Sequence, residues 1–231
     1  MEKFGTKCPH QLKGQINMIN KKSTKILALF IVAFIWRSDV AHGNQRLKAY
    51  LSGKKSKFLT EGHPKAQGLK ISFEYPEGWE LAEGKRPNII QQFKEKIEGR
   101  TASMCLLQVN ELPWHVRLLN FFGFDLGIFL PSELRKLVPP EYQFIKGTPT
   151  EYEGEKGALL IFSGQVERAG MKVDIYFMQH IFLYSGKLIG LQCSVGDSAG
   201  NKNLVALFDE YAPLFQHMGN TIVIHNKWKK S

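Results

Sequence analysis

At 231 residues, with 43% apolar side chains, the chain is long enough for one domain with a substantial core. Its formal charge is +10, but half of that lies in the first 43 residues; beyond them 24 basic residues face 19 acidic ones. No Lys/Arg block is interleaved with stacking aromatics, which excludes a nucleic-acid footprint.

The N-terminal end reads as an export signal. Lys21, Lys22 and Lys25 precede an apolar run from Ile26 to Trp36, too short to span a bilayer as a helix. Small residues follow and end in Ala41-His42-Gly43, which suits cleavage after Gly43. Starting translation at Met18 gives a signal of ordinary length, so 1–17 is expected to be a mis-assigned lead and 18–43 the signal peptide. An uncleaved membrane anchor is the competing reading. Export predicts a periplasmic or secreted protein, in a compartment where disulfides form. Cys8 falls in the lead. Cys105 and Cys193 each sit in an apolar, strand-like run, a pattern that fits either two buried thiols or a bridge between adjacent strands.

Residues 44–68 are polar and basic, include Gly53-Lys54-Lys55-Ser56-Lys57, and show little periodicity. They predict a flexible basic arm with a short helix around Gln45–Leu51. A single domain is expected over 69–231. It opens on Ile71, Phe73 and Tyr75 alternating with Ser72 and Glu74, the period of a half-buried strand. Tyr75-Pro76-Glu77-Gly78 suits a type I turn, with Trp79 and Leu81 opening the next strand. Asn88–Phe93 and Ser103–Val109 are further strands. From Lys146 a meander is expected: Thr148–Glu153, Gly157–Glu167, Met171–Tyr184 and, after a tight Ser185-Gly186 turn, Lys187–Val195. Turns this short require antiparallel neighbours. Ser132–Val138, between Pro131 and Pro139-Pro140, predicts a short helix. Leu204, Leu207, Phe208, Tyr211, Leu214, Phe215 and Met218 form one apolar stripe of an amphipathic helix, which Pro213 should kink or divide. Ile222–Ile224 is a last short strand.

At Phe73-Glu74-Tyr75-Pro76-Glu77-Gly78-Trp79 the sequence resembles the PsbP-like family, whose domain opens on an aromatic-rich strand ending in a Pro-x-Gly-Trp turn. The element order that follows is similar too, over about Gly68 to Ile224. The resemblance implies an α/β (α+β) fold: an antiparallel β-sheet flanked by helices, the PsbP-like α/β/α sandwich. The family includes an extrinsic subunit of the photosynthetic oxygen-evolving complex, a Ran-binding nuclear import factor and bacterial envelope proteins of the DcrB-like kind. Its shared theme is binding, and it supplies no catalytic residues to carry over. The long apolar segment after Glu111 departs from the simple pattern.

One local motif points to chemistry. Gly196-Asp197-Ser198-Ala199-Gly200 spells the G-x-S-x-G of a serine-hydrolase elbow, where a sharp strand-to-helix turn exposes the nucleophile. That chemistry also needs a histidine base, an orienting acid and an oxyanion hole. Here only 33 residues follow Ser198, no HGGG-type segment precedes it, and the strands around it read as antiparallel. The alternative is a polar loop in which Asp197, Ser198 or Asn201 caps the following helix. His63, His115, His180, His217 and His225 show no metal-ligand spacing, and His180 reads as a satisfied sheet residue. Glu151, Glu153 and Glu155 read as a solvated face. No cofactor is called for.

The segment Trp114–Pro131 is rich in aromatics and leucine and fits neither a clean strand nor a long helix. It reads as a connection packed over the sheet or as an exposed contact surface. The functional expectation is an exported, non-enzymatic binding protein of the bacterial cell envelope. It would contact a protein or envelope component through residues 114–130, with Trp114, Phe121, Phe122 and Phe124 as anchors. The basic arm and Arg117 add an expected contact with the membrane surface. A small secreted serine hydrolase using Ser198 is the second hypothesis.

Overall fold

Every strand pairing among the described residues is antiparallel, as the short turns require. The computed structural model describes residues 45–113, 127–168, 170–198, 200 and 203–228, and all of these belong to one compact unit. The strands are β1 (Lys55–Leu59), β2 (Ile71–Pro76), β3 (Glu80–Glu83), β4 (Ile89–Ile97), β5 (Arg100–Glu111), β6 (Gln143–Tyr152), β7 (Glu155–Arg168), β8 (Met171–Tyr184), β9 (Lys187–Ser198) and β10 (Val223–Ile224). They form a seven-stranded sheet ordered β3-β4-β5-β9-β8-β7-β6 and a three-stranded sheet ordered β1-β2-β10. Residues 45–52 are helical (α1), and Leu204–Asn220 form α2. Among the described residues no helix is long and apolar enough to cross a membrane.

The hairpins follow from their turn residues. Glu98-Gly99, Glu153-Gly154 and Ser185-Gly186 each place both residues at positive φ, between +50° and +78°. That is the type I′ geometry whose twist matches the flanking strands, and glycine at the second position makes it inexpensive. The turn after β2 differs from expectation by one residue. The Trp79 N–H donates to the Pro76 carbonyl and Gly78 has φ +90°. The bend is therefore Pro76–Trp79, with glycine at the third position as a type II turn demands.

Two apolar clusters lie on opposite faces of the large sheet. One joins α2, α1 and the small sheet to Phe93, Cys105, Leu107, Leu191, Cys193, Met178 and Phe182. Phe73 of β2 meets Phe93 of β4 edge-on at 4.9 Å, so the small sheet packs directly on the large one. The other buries Ala158, Leu160, Phe162, Ile175, Phe177 and Ile181 beneath Phe129, Leu134 and Val138. β7 and β8 are thus apolar on both faces, which explains why Ala158–Phe162 and Ile175–Leu183 hardly alternate in polarity. On the second face the expected helix over Ser132–Val138 is a short 3-10 helix, Leu134–Leu137. Prolines on both sides leave too little chain for an α-helix to repay its nucleation.

Two further expectations are corrected. The basic stretch expected as a flexible arm over 44–68 is built into the fold from Gln45 onward. Phe58 of β1 packs on Phe93, Thr60 is buried and bonded to Leu69, and Tyr50 of α1 enters the first cluster. Lys55 and Lys57 alternate outward from Ser56 and Phe58, and this single pleated strand was hidden by its lysines. Pro213 does not divide the C-terminal helix: α2 runs through it for 17 residues. The proline sits half-exposed beside the buried stripe of Leu204, Phe208, Tyr211, Leu214, Phe215 and Met218. The burial of that stripe outweighs one lost rung.

Candidate functional site

A cavity of about 320 Å³ opens beside the edge strand β6. Gly127, Phe129 and Leu130 form one wall; Pro149, Thr150 and Glu151 of β6 and Lys156 and Gly157 of β7 form the other. Phe129 is anchored in the second apolar cluster, whereas Leu130 keeps 55% of its surface exposed. The β6–β7 hairpin holds its wall rigidly. A Cβ on Gly157 would stand 2.4 Å from the Ile181 carbonyl oxygen and 2.8 Å from the Tyr152 ring, so only glycine lets β6, β7 and β8 close this tightly. Pro149 has no N–H to offer, and a register shift interrupts β6 between Phe144 and Lys146. Both features blunt this edge against strand addition. The cavity therefore offers an apolar wall and rim rather than a free pairing edge.

This cavity adjoins the segment singled out from sequence at its C-terminal end. Trp114, Phe121, Phe122 and Phe124 lie outside the described residues, as does Arg117. The hairpin residues Pro149, Thr150 and Lys156 were missed, because a proline on a strand and a mixed polar turn carry no chemical signature. Glu151 lines the cavity rim and is exposed, as a solvated face predicts. Glu153 and Glu155 instead hold the 3-10 turn His225–Trp228: Lys227 reaches the Glu153 carbonyl and the Glu155 carboxylate, and the Trp228 indole donates to Glu153 Oε2 at 2.8 Å.

The G-x-S-x-G residues are placed otherwise than a nucleophile elbow requires. Ser198 is the last residue of β9 and sits in register with Val173 of β8. Its hydroxyl donates to the adjacent Asp197 Oδ1 at 3.3 Å, and its N–H to the same oxygen at 2.6 Å. Beyond the strand, Gly200 takes φ +85° and its N–H donates to Asp174 Oδ2 at 2.7 Å. That bond, with one from Gln165, holds the Asp174 carboxyl below the usual carboxylate range. The capping expectation is corrected for Asp197 and Ser198: the N-cap of α2 is Asn203, and it makes no side-chain capping bond. Asn201 lies outside the described residues.

The described histidines are engaged elsewhere. His63 Nδ1 accepts from the Lys65 N–H, His225 Nε2 pairs with the buried Ser72 hydroxyl at 2.7 Å, and His217 packs edge-on against Tyr50. His115 lies outside the described residues. His180, on β8, is 1% exposed. Its Nε2 meets the Phe215 carbonyl at 3.1 Å, and its Nδ1 meets the Tyr152 hydroxyl at 2.9 Å. Burial pushes the imidazole down to about 4, against a smaller pull upward from the Phe215 carbonyl, and holds the Tyr152 phenol well above its ordinary range. His180 is thus the satisfied sheet residue its strand position suggested. Among the described residues no cluster of three or more His, Cys, Asp or Glu side chains is arranged for a metal ion.

A second polar constellation ties α1 to the body. Arg46 donates from Nε to Glu210 at 2.6 Å and from NH1 to Glu95 at 3.1 Å, and its guanidinium lies 3.9 Å from the centroid of the Tyr211 ring. Glu95 Oε2 also accepts from Ser103 and from the Tyr211 hydroxyl. Every group in it is neutralised or bonded by another member, the pattern of a structural clamp.

Cys105 and Cys193 face each other across β5 and β9 and form a disulfide beneath α2, with both residues fully buried.

No family model and no curated protein sequence matches the chain. Among solved structures it is similar to the cyanobacterial PsbP (CyanoP) of Synechocystis, at 16% identity over 74% of this chain and 93% of that one, with a TM-score of 0.46. It is similar to the Ran-binding protein Mog1p of Saccharomyces cerevisiae, at 12% identity over 75% and 96%, with a TM-score of 0.46. It is also similar to LpqN of Mycobacterium tuberculosis, involved in cell envelope biogenesis, at 14% identity over 76% and 94%, with a TM-score of 0.38. The first of these is itself a PsbP, the family that the strand and turn at Phe73–Trp79 resemble.

Proposed function

We propose that this chain is an exported, non-enzymatic binding protein of the bacterial cell envelope. Its contact with a protein or envelope component runs through residues 114–130, anchored by Trp114, Phe121, Phe122 and Phe124. The observation that carries this reading is the cavity of about 320 Å³ at the end of that segment, with Phe129 and Leu130 on its wall. A concave apolar site with few polar groups suits the capture of a partner's side chain. The buried Cys105–Cys193 bridge supports an oxidising compartment. The strand placement of Ser198, bonded to Asp197, supports binding over hydrolysis.

The test is crosslinking in the native envelope. Replacing Phe121 and Phe122 together by serine should abolish the crosslinked species and leave the thermal unfolding transition in place. Loss of folding would instead assign the segment to the core. A serine-reactive covalent probe separates the hydrolase reading, for which labelling at Ser198 is required.

A further inference from the structure

The N-terminal segment of the described fold carries charge of one sign. From Gln45 to Thr60 the chain holds Arg46, Lys48, Lys54, Lys55 and Lys57 and no Asp or Glu. Arg46 is taken up by Glu95 and Glu210, but the other four point outward. Lys48 is exposed on α1, Lys54 is exposed between the elements, and Lys55 and Lys57 share the outer side of β1. Lys55 lies 5.2 Å over the Tyr50 ring, which brings the end of α1 beside that strand. The side chains of Lys48, Lys54 and Lys57 make no ion pair among the described residues. Glu74, opposite Lys57, and Glu77, beside Lys54, are the facing carboxylates, so the four lysines retain a cationic excess. Two large apolar side chains stand among them: Leu51, 48% exposed, and Leu59, 43% exposed.

We infer that this segment forms a docking surface for an anionic phospholipid bilayer. Lysines interspersed with exposed leucines suit a headgroup layer, where the charges meet phosphate and the leucines enter the acyl boundary. A second copy of the chain would bring like charge against like. The inference rests on the exported reading but uses a surface apart from the cavity.

The experiment is flotation of the full chain with vesicles of phosphatidylcholine alone and of phosphatidylcholine with phosphatidylglycerol, at low and high salt. Preferential binding to the anionic vesicles, lost at high salt, is expected. Near a charged surface each lysine contributes about fivefold, so Lys54, Lys55 and Lys57 replaced together by serine should lower that preference about a hundredfold. Leu51→Ser should weaken binding to anionic vesicles while leaving the salt dependence. Equal binding to both vesicle types, or an unchanged triple variant, overturns the inference. So does retention on a soluble polyanion such as heparin without anionic-vesicle binding. Crosslinking through residues 114–130 should survive the triple variant, so either result can fail without the other.

Discussion

His180 shows how one side chain sets a pH limit on the fold. A Cβ on Gly219 would lie 2.2 Å from the imidazole, so the ring occupies a notch in α2 that only glycine leaves open. The space is fitted to the neutral ring. Below the ordinary histidine range of about 6.5 the unfolded chain takes up a proton that the native chain refuses until about 4. Stability should therefore fall as pH drops through that window, by about 3 kcal/mol for this residue. Urea unfolding at intervals between those values checks it. His180→Gln should be less stable at neutral pH and should lose this part of the acid limb, whereas an unchanged slope would assign the limb to other groups. Ser198 teaches the opposite lesson at the same scale: five letters matched a catalytic motif, but the register with Val173 keeps the serine in the sheet.

At the scale of elements, β5 and β9 are joined at the centre of the sheet by directly opposed cysteines, 88 residues apart in sequence. Cross-linking so distant a pair restricts the unfolded chain strongly. Replacing both cysteines by alanine should lower the free energy of unfolding by about 2–4 kcal/mol in denaturant titration, with the strand order retained. Full burial under α2 also implies that mild reductant leaves the native protein intact until the helix lifts. The sequence left two buried thiols and a bridge both open, since alternation places both cysteines on inward faces but says nothing of which strands adjoin. Pairing β5 with β9 across an intervening meander is a decision of topology.

For the whole molecule, the Arg46 clamp joins α1 to β4 and α2, and so closes the N-terminal segment over the first apolar cluster. Its carboxylates are about a fifth and a third exposed, so each ion pair alone is worth little. The stacked guanidinium and the shared Glu95 add to them. Arg46→Ala should cost about 1–2 kcal/mol and should raise hydrogen exchange in residues 45–59 before the large sheet opens. Uniform loss of protection throughout the sheet would show instead that α1 folds as one unit with the body.

The sequence by itself determined the strands from β2 onward, apart from the first half of β6 over Gln143–Gly147, together with the antiparallel meander and the buried stripe of α2. Each of these rests on local periodicity and turn chemistry, which act within a few residues. Ser185-Gly186 could hardly do other than reverse the chain, and Leu204 to Met218 could hardly face anywhere but inward. The cavity beside β6, the disulfide, the His180 notch and the inclusion of residues 45–59 were decided by tertiary structure. Each depends on partners dozens of residues away: Gly127 against Pro149, Cys105 against Cys193, His180 against Gly219, Phe58 against Phe93. The lysines of β1 read as solvated arm because only one side of a single edge strand is apolar, and its apolar partner lies on β4. Periodicity names the face that will be buried; only the closed chain supplies what buries it.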